Sequence, residues 1–540
     1  DLVFEGLDPL LPVLDGSGGL PSGMGVGEAV AMAVAEGQPS FGAAQAELER
    51  VGQLREGIDE GRLSPRVGQL LERLDRYLPL LETGVEGLLV APSLLGVDQP
   101  RTYLLLAQNE HELRATGGFI SSAALLRVDH GKIVDFDFRD SYAVDDLSQP
   151  HPDAPEALER YMLSQVWLLR DANWYADFPA SAQVARDLYQ LDQGVLVDGV
   201  MAADLAAMQS LVGAMEPLPL PGYEEEVTAA NVVGLMQKYW ASPAGEEQTG
   251  DWWVHRKDFM GDLLGAMMSR LQADLGSVDP GRLASALRKG FAEKHILFYV
   301  VDPAIGEMLG DNGWDGALAR GDGDFLMVVD ANMGFNKVNP NVETSLEYRV
   351  WIEDDESLSS RLVVTYRNHS SGPDTCVQEA VYPPTYEEMM EGCYWDYLRV
   401  YVPQGSELAQ GPSLTLPEGS LRAREDGTGG APLDTEVGPS EAGKTVYGAF
   451  FVVAPGESRE MVFEFRLPSS VLAGEDAARY RLLVQKQPGT TAVPLHVEIR
   501  LPSESSVVST SPADGSVAAG SVLFDTDLRQ DREFEVAFRR

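Results

Sequence analysis

Residues 101–140, RTYLLLAQNEHELRATGGFISSAALLRVDHGKIVDFDFRD, hold the pattern from which the rest of the chain can be read. The apolar run Tyr103–Ala107 predicts a buried strand. A polar turn, Gln108–Arg114, leads to Gly117-Gly118 and a second apolar strand, Phe119–Val128. His130-Gly131 marks another turn, and Ile133–Phe138 alternates as a half-buried strand ending on Arg139-Asp140. Polar groups therefore gather at strand ends, where loops held by a rigid sheet carry chemistry. Arg114 and Arg139 stand at two such ends. The expectation is that they face one cleft for an anionic, phosphorylated ligand, with Asp140 beside them and Arg256 as a third guanidinium.

Outward from this stretch, strand-like and helix-like runs alternate over residues 98–325 and predict an α/β domain. Helices are expected over Glu156–Leu169, Pro179–Tyr189, Asp204–Val212, Thr228–Trp240, Arg256–Leu275 and Pro280–Phe291. Strands are expected at Val195–Met201 and His295–Val301. Residues 1–97 read as a helical spacer after a glycine-rich loop, Gly16–Gly27. Ala44, Leu48, Val51 and Leu54 recur at helical spacing, as do Leu70, Leu74, Leu78 and Leu81, with Pro65 at a tolerated first-turn position. Residues 326–540 change to strand patterns: Ser345–Ile352, Arg361–Tyr366, Tyr397–Val402, Val446–Val453, Glu460–Leu467, Tyr480–Gln485, Pro494–Leu501, Val522–Phe524 and Glu533–Phe538. Pro/Gly turns between them indicate a β-sandwich region, with a long loop over Gly411–Gly443. The expected class is thus multidomain, α/β plus all-β.

The chain of 540 residues has 41 basic and 84 acidic residues, a net charge of −43. Such a surface repels nucleic acid and anionic headgroups and attracts divalent cations. The basic residues are mostly Arg, which suits phosphate or carboxylate recognition; the base composition of a genome produces the same bias. The two cysteines, Cys376 and Cys393, lie close in sequence. A local disulfide would suit an extracytoplasmic protein, and two buried thiols are the alternative. No apolar run is long enough to span a membrane. Residue 1 is Asp, not Met, and a removed signal or an anchor ahead of it is the expectation that follows.

Arginines bind phosphate oxygens bidentately and keep their charge at any working pH. Against this stands pairing with local acids: Glu110 and Glu112 flank Arg114, and Asp137 and Asp140 flank Arg139. Gly117-Gly118 permits close backbone approach but matches neither the dinucleotide nor the phosphate-loop pattern. Asp140, Asp171, Asn173 and Asp177 are oxygen donors that suit Mg²⁺ or another divalent cation, and helix capping is the competing role for Asp177. No nucleophile elbow and no H-E-x-x-H is present, and nothing calls for an organic cofactor.

QNEHELRATGGFISSAALLRVDHGKIVDF, LRDANWYADFPASA, VDGVMAADLAAMQSLVGAM and VTAANVV resemble a bacterial envelope family of unknown function, DUF4012. YLRVYVPQGSEL, VYGAFFVVAPGES and VQKQPGT resemble its C-terminal part. A more distant resemblance is to the LytR–CpsA–Psr (LCP) phosphotransferases, which attach lipid-linked glycopolymers to cell wall. Arg114-Ala115-Thr116 and Phe138-Arg139-Asp140 stand where that family has Arg-x-Asp and Pro-Arg-Asp, and DFMGD lies in a similar final helix. The resemblance implies an LCP-like central domain. Catalytic roles would fall to Arg114, Arg139 and Asp140, and ligand contacts to Arg256, Asn109, Glu112, Gly117, Gly118 and Arg170. Mg²⁺ would sit on Asp140, Asp171 and Asp177. Thr116 replaces the motif's Asp, so binding and transfer both stay open. The implied function is an extracytoplasmic protein that binds, or transfers, a phosphorylated lipid-linked glycopolymer precursor. The alternative is a non-catalytic surface scaffold that contacts other surface proteins through its β-domains.

Overall fold

The stretch 101–140 forms three antiparallel strands, β1 (Arg101–Asn109), β2 (Phe119–Asp129) and β3 (Lys132–Asp140). The structure, a computed structural model, describes residues 2–8, 24–58, 63–240, 255–273, 278–373, 375–378, 383, 385–416, 420–421, 432–474, 478–518 and 520–539. The loop expected over Gly16–Gly27 lies outside these residues as far as position 23, as does much of that expected over Gly411–Gly443.

Among the described residues, four helices precede the first strand: α1 (Leu2–Leu7), α2 (Val26–Glu36), α3 (Gln38–Glu56) and α4 (Pro65–Leu94). Pro65 opens α4 as expected. The apolar stripes of α2–α4 meet around Phe41, Ala44 and Val85. The end of α4 packs Val90 and Leu94 into a cluster with Tyr103 and Phe298, so it rests on a face of the first sheet. Gly27 of α2 touches the β2–β3 turn so closely that a Cβ there would lie 2.0 Å from the Gly131 carbonyl oxygen.

The first sheet has the order β3-β2-β1-β4-β5, with β4 at Gly199–Ala203 and β5 at Ile296–Val300. Only the β1–β4 pair is parallel. Between β3 and β4 come α5 (Ser141–Val144), α6 (Glu156–Met162) and α7 (Phe178–Gln193). Between β4 and β5 come α8 (Leu205–Met215), α9 (Val232–Trp240), α10 (Asp258–Ala273) and α11 (Pro280–Ala292). A further helix, α12 (Pro303–Asp311), follows β5. The strand expected at Val195–Met201 begins later, at Gly199, because Asp198 anchors the Thr102 backbone N–H. The helix expected over Glu156–Leu169 stops at Met162, where Leu163 takes the left-handed conformation.

The remaining strands build two facing sheets. β6 (Asp324–Val329), β9 (Tyr394–Pro403), β13 (Glu436–Val437), β14 (Lys444–Val453), β17 (Ala478–Gln485), β19 (Ser506–Ser511) and β22 (Arg532–Arg539) lie in one. The other contains β7 (Val342–Ile352), β8 (Leu358–Asn368), β10 (Glu407–Gln410), β15 (Ser458–Leu467), β18 (Pro494–Arg500), β20 (Ser516–Ala518) and β21 (Ser521–Asp527). Short strands β11 (Ser413–Thr415) and β12 (Pro432–Asp434) pair together, and β16 (Leu472–Ala473) pairs β17. The sandwich starts at Asp324, against the expected 326. β8 alternates buried and half-exposed positions, as a one-sided strand does. β9 is buried at every position, because its outer face carries a second core. There Trp395, Tyr397 and Phe450 meet Tyr161 of α6 and the side chain of Trp174. The α/β domain thus covers the sandwich like a third layer. Cys376 and Cys393 are joined as a disulfide within that second core. Among the described residues no helix is long and apolar enough to cross a membrane.

Inside the sandwich, the Asp330 and Asp396 carboxyls share a hydrogen bond, which requires a proton between them. Tyr366 donates to Asp330 at 2.5 Å and Tyr394 to Asp396 at 2.9 Å. Burial pushes both carboxyls up, and Asp330 pushes Asp396 further. A folded-state pKa above the unfolded one makes the stabilisation complete below about pH 4 and lost as pH rises through the folded value. Asp396→Asn supplies a permanent N–H in place of the shared proton. The variant is expected to be more stable than wild type at pH 7 by about 1–3 kcal/mol. The gap should close near pH 4, as measured by urea unfolding at the two pH values.

Candidate functional site

A cleft opens where β1 ends and β2 begins, and both domains contribute to it. Its cavity volume, counted as the space open to the centres of water-sized molecules, is about 60 Å³. Its walls are mostly apolar: Phe119, Leu205, Met260, and Val233, Met236 and Trp240 along α9. Tyr142 of α5 stands at one side, and Tyr386 of the sandwich region closes another. The α9 residues recur at spacings of three and four, so one helix face lines the space.

Basic side chains form the polar part. Asp140 is the last residue of β3 and caps α5, its carboxylate accepting from the Tyr142 N–H at 3.0 Å. The same carboxylate meets Arg256 at 2.5 Å and Lys257 at 3.3 Å. Lys257 also donates to the Ser121 carbonyl. Burial pushes the Lys257 ammonium down to about 8; Arg256 and Lys337 lower it too, while Asp140 raises it. Lys337 reaches in from the sandwich side and pairs with Glu112 at 3.3 Å. Burial lowers its pKa as well. Glu112 is 0% exposed and binds Arg114 at 3.0 Å on its other oxygen. The Phe119 ring has the Arg114 guanidinium at 5.7 Å and the Lys337 ammonium at 5.8 Å from its centre. Arg114, Arg256, Lys257 and Lys337 thus share two carboxylates, Glu112 and Asp140. His111 adds no charge at neutral pH, since burial pushes it down to about 4. Burial and Asp204 push Glu110 up to about 8, which keeps it protonated there.

The expected convergence of Arg114 and Arg139 is not what the structure shows. Arg114 is 2% exposed and lies in the domain junction, donating to the backbone carbonyls of Leu113 and Asn332. Arg139 is solvent-facing, pairs with Asp137 at 2.5 Å and reaches Gln193 at the end of α7. The reason is strand alternation: Arg139 and its successor Asp140 point to opposite faces of β3. Asp140 and Arg256 do meet, as expected, and Asn109 lines the cleft, donating to the Tyr386 hydroxyl at 3.0 Å. Arg170 pairs with Asp145 at 2.6 Å and lies over the Tyr142 ring at 4.6 Å.

Gly117 and Gly118 serve packing. Gly117 has φ +139, and a Cβ at Gly489 would fall 1.9 Å from its carbonyl oxygen. Gln487 beside that loop donates to the Arg114 carbonyl at 3.1 Å and the Asp330 carbonyl at 2.8 Å. The glycine pair is thus where the sandwich docks.

The three carboxylates expected to share a cation stand in separate surroundings. Asp140 is held by Arg256 and Lys257. Asp171 is buried, its carboxyl raised by burial and drawn down by Arg114 and Arg170. Asp177 accepts from the Leu318 N–H at 2.8 Å. Among the described residues no group of three or more His, Cys, Asp or Glu side chains is placed to hold a metal ion. The residues present therefore do not fit the expected divalent site.

Lys257, Lys337, Trp240 and Tyr386 are site residues the sequence reading missed. Lys257 carried a signal, the basic pair Arg256-Lys257 in an acidic chain. Lys337 and Tyr386 carried none, because they arrive from another domain.

Residues 98–239 match a family described as "Protein of unknown function (DUF4012)". The match supports that family for the central region, which supplies most of the cleft. No curated protein matches the chain. Among solved structures, it is similar to a candidate nutrient-binding protein of Legionella pneumophila, at 10% identity and a TM-score of 0.22, over 41% of this chain and 73% of that one. It is also similar to an M1 zinc metallopeptidase of Deinococcus radiodurans, at 9% identity and a TM-score of 0.19, over 37% and 42%. Yeast LTA4 hydrolase is similar at 6% identity and a TM-score of 0.19, over 37% and 29%. The chain thus spans less than half the length of these two enzymes.

Removing Arg114 leaves Glu112 buried with one partner fewer. Arg114→Met is expected to lower unfolding free energy by about 3 kcal/mol or more. Arg139→Ala, on the exposed face, should change it by less than about 0.5 kcal/mol. Guanidinium chloride unfolding of the two variants makes the comparison.

Proposed function

We propose that the cleft binds an amphiphilic anion, with an apolar chain along α9 and a phosphate-class head at Lys257, Arg256 and Lys337. The observation that carries this reading is that Arg256, Lys257 and Lys337 all line one cleft with mostly apolar walls, in a chain whose net charge is −43. Ammonium and guanidinium groups in a partly desolvated site bind phosphate oxygens more strongly than in water. In this reading the side chains supply the positive charge that was expected from a divalent ion.

The biological ligand that fits is a lipid-linked, phosphorylated glycopolymer precursor. The likeness of the central region to the LCP phosphotransferases supports it, through Asp140 and Arg256. The disulfide supports an extracytoplasmic setting, where such bonds persist. Binding is the step this reading commits to. A second reading, a non-catalytic surface scaffold, draws on a different observation: Arg114, Gly117 and Gly118 join domains rather than face a ligand.

Isothermal titration with farnesyl pyrophosphate and farnesol tests the proposal. Wild type should bind the pyrophosphate, and Lys257→Gln and Lys337→Gln should each weaken it by about tenfold or more. Arg139→Ala should bind as wild type does. Lys257 holds its charge below about 8, so affinity should fall as pH is raised from 7 to 9. Equal binding of farnesol and the pyrophosphate, or an unchanged Lys257→Gln, would overturn it.

A further inference from the structure

The wall that adjoins the end of α9 comes from the connection from β8 to β9. Within it lies one turn of helix, α13 (Tyr386–Met389), capped by Thr385. Tyr386 is the residue this turn delivers to the cleft. Its hydroxyl accepts from Asn109 at 3.0 Å and bonds the His111 ring at 3.0 Å. Trp240, at the end of α9, meets its ring edge-on at 5.9 Å. The Met389 carbonyl accepts from the Lys337 N–H at 2.7 Å, so the same turn also seats one of the basic residues.

Among the described residues of this segment Gln378, Tyr386 and Met389 are buried, and Gln378 donates to the Tyr161 carbonyl at 2.8 Å and the Met333 carbonyl at 2.6 Å. The segment's two ends are tied by Cys376 and Cys393, 17 residues apart in sequence. Both cysteines sit in the second core with Met333 and Trp395. A covalent tie across such a segment removes much of the conformational freedom that would otherwise compete with the placement of Tyr386.

We propose that the Cys376–Cys393 disulfide holds Tyr386 in place as the cleft wall, and that ligand binding is therefore redox-dependent. The inference rests on the cleft being a ligand site, and makes Tyr386 a positioning residue for whatever occupies it. A dithiol reductant supplies two electrons and two protons. The S–S bond breaks, two thiols form, and the reductant leaves as its cyclic disulfide. The segment then keeps only its noncovalent ties, those of Gln378 among them, and the contact between Tyr386 and Trp240 loosens.

The test titrates farnesyl pyrophosphate into the full chain, oxidised, reduced with dithiothreitol, and as the Cys376→Ser/Cys393→Ser variant. Far-UV circular dichroism checks that each form is folded. The oxidised protein should bind about tenfold or more tightly than the other two. Tyr386→Ala in oxidised protein should reproduce the loss, and reducing that variant should add nothing further. This non-additivity separates a wall held in place from general destabilisation. If the reduced chain does not stay folded, the oxidised Tyr386→Ala protein decides, and unchanged affinity there overturns the inference. Equal affinity of oxidised and reduced wild type overturns it while leaving the cleft reading intact. No binding by oxidised wild type removes the cleft reading, and this inference with it.

Discussion

Glu112 is a carboxylate with no exposed surface, and a buried charge persists only where opposite charges meet it. Arg114, two residues on, and Lys337 from the sandwich region both meet it. That constraint ties the two domains at a defined place. Gln487 and Gly489 seat the sandwich loop on the Arg114 and Gly117 carbonyls at the same junction. The cleft sits beside this join, and its basic character follows from it. Lys337 is held there to neutralise Glu112, and it then faces Lys257 closely enough to lower its proton affinity.

The second consequence concerns which side of the sheet is used. β3 ends on Arg139-Asp140, and a pleated strand must send these two side chains to opposite faces. Asp140 turns toward α10 and collects Arg256 and Lys257. Arg139 turns toward α7 and the solvent. One pleat therefore sends two residues adjacent in the chain to different partners, Asp140 to Arg256 and Lys257, Arg139 to Asp137 and Gln193.

Strands of the sandwich were legible because apolar and polar residues alternate in β8 and β15, with Pro/Gly turns between them. β9 and β14 are instead buried along nearly their whole length, and only the structure shows why. Their outer faces are covered by Tyr161 and Trp174. The strand β6 was not foreseen, since Asp324–Val329 is a short run without alternation. The pairing of Cys376 with Cys393 was one of two alternatives that their spacing left open. Helix α4 was recognised from its repeat, yet Leu70, Tyr77 and Leu81 on it are exposed. Periodicity marks a helix face without saying what covers it.

Local information was enough for the order of elements: helices to about residue 97, a mixed sheet with helices, then two sheets of strands. Hydrophobic period, glycine and proline act over a few residues, and such signals survive without the fold. Asp140 with Arg256, and Asn109 at the cleft, were also within reach, because charge type and position at a strand end are local properties. The pairing of Arg114 with Glu112 is local, but the partnership of Glu112 with Lys337 was decided by tertiary structure alone, as was the arrival of Tyr386 beside Asn109. These contacts join residues more than two hundred positions apart. No local pattern carries them, because burial at a domain junction depends on both surfaces being present.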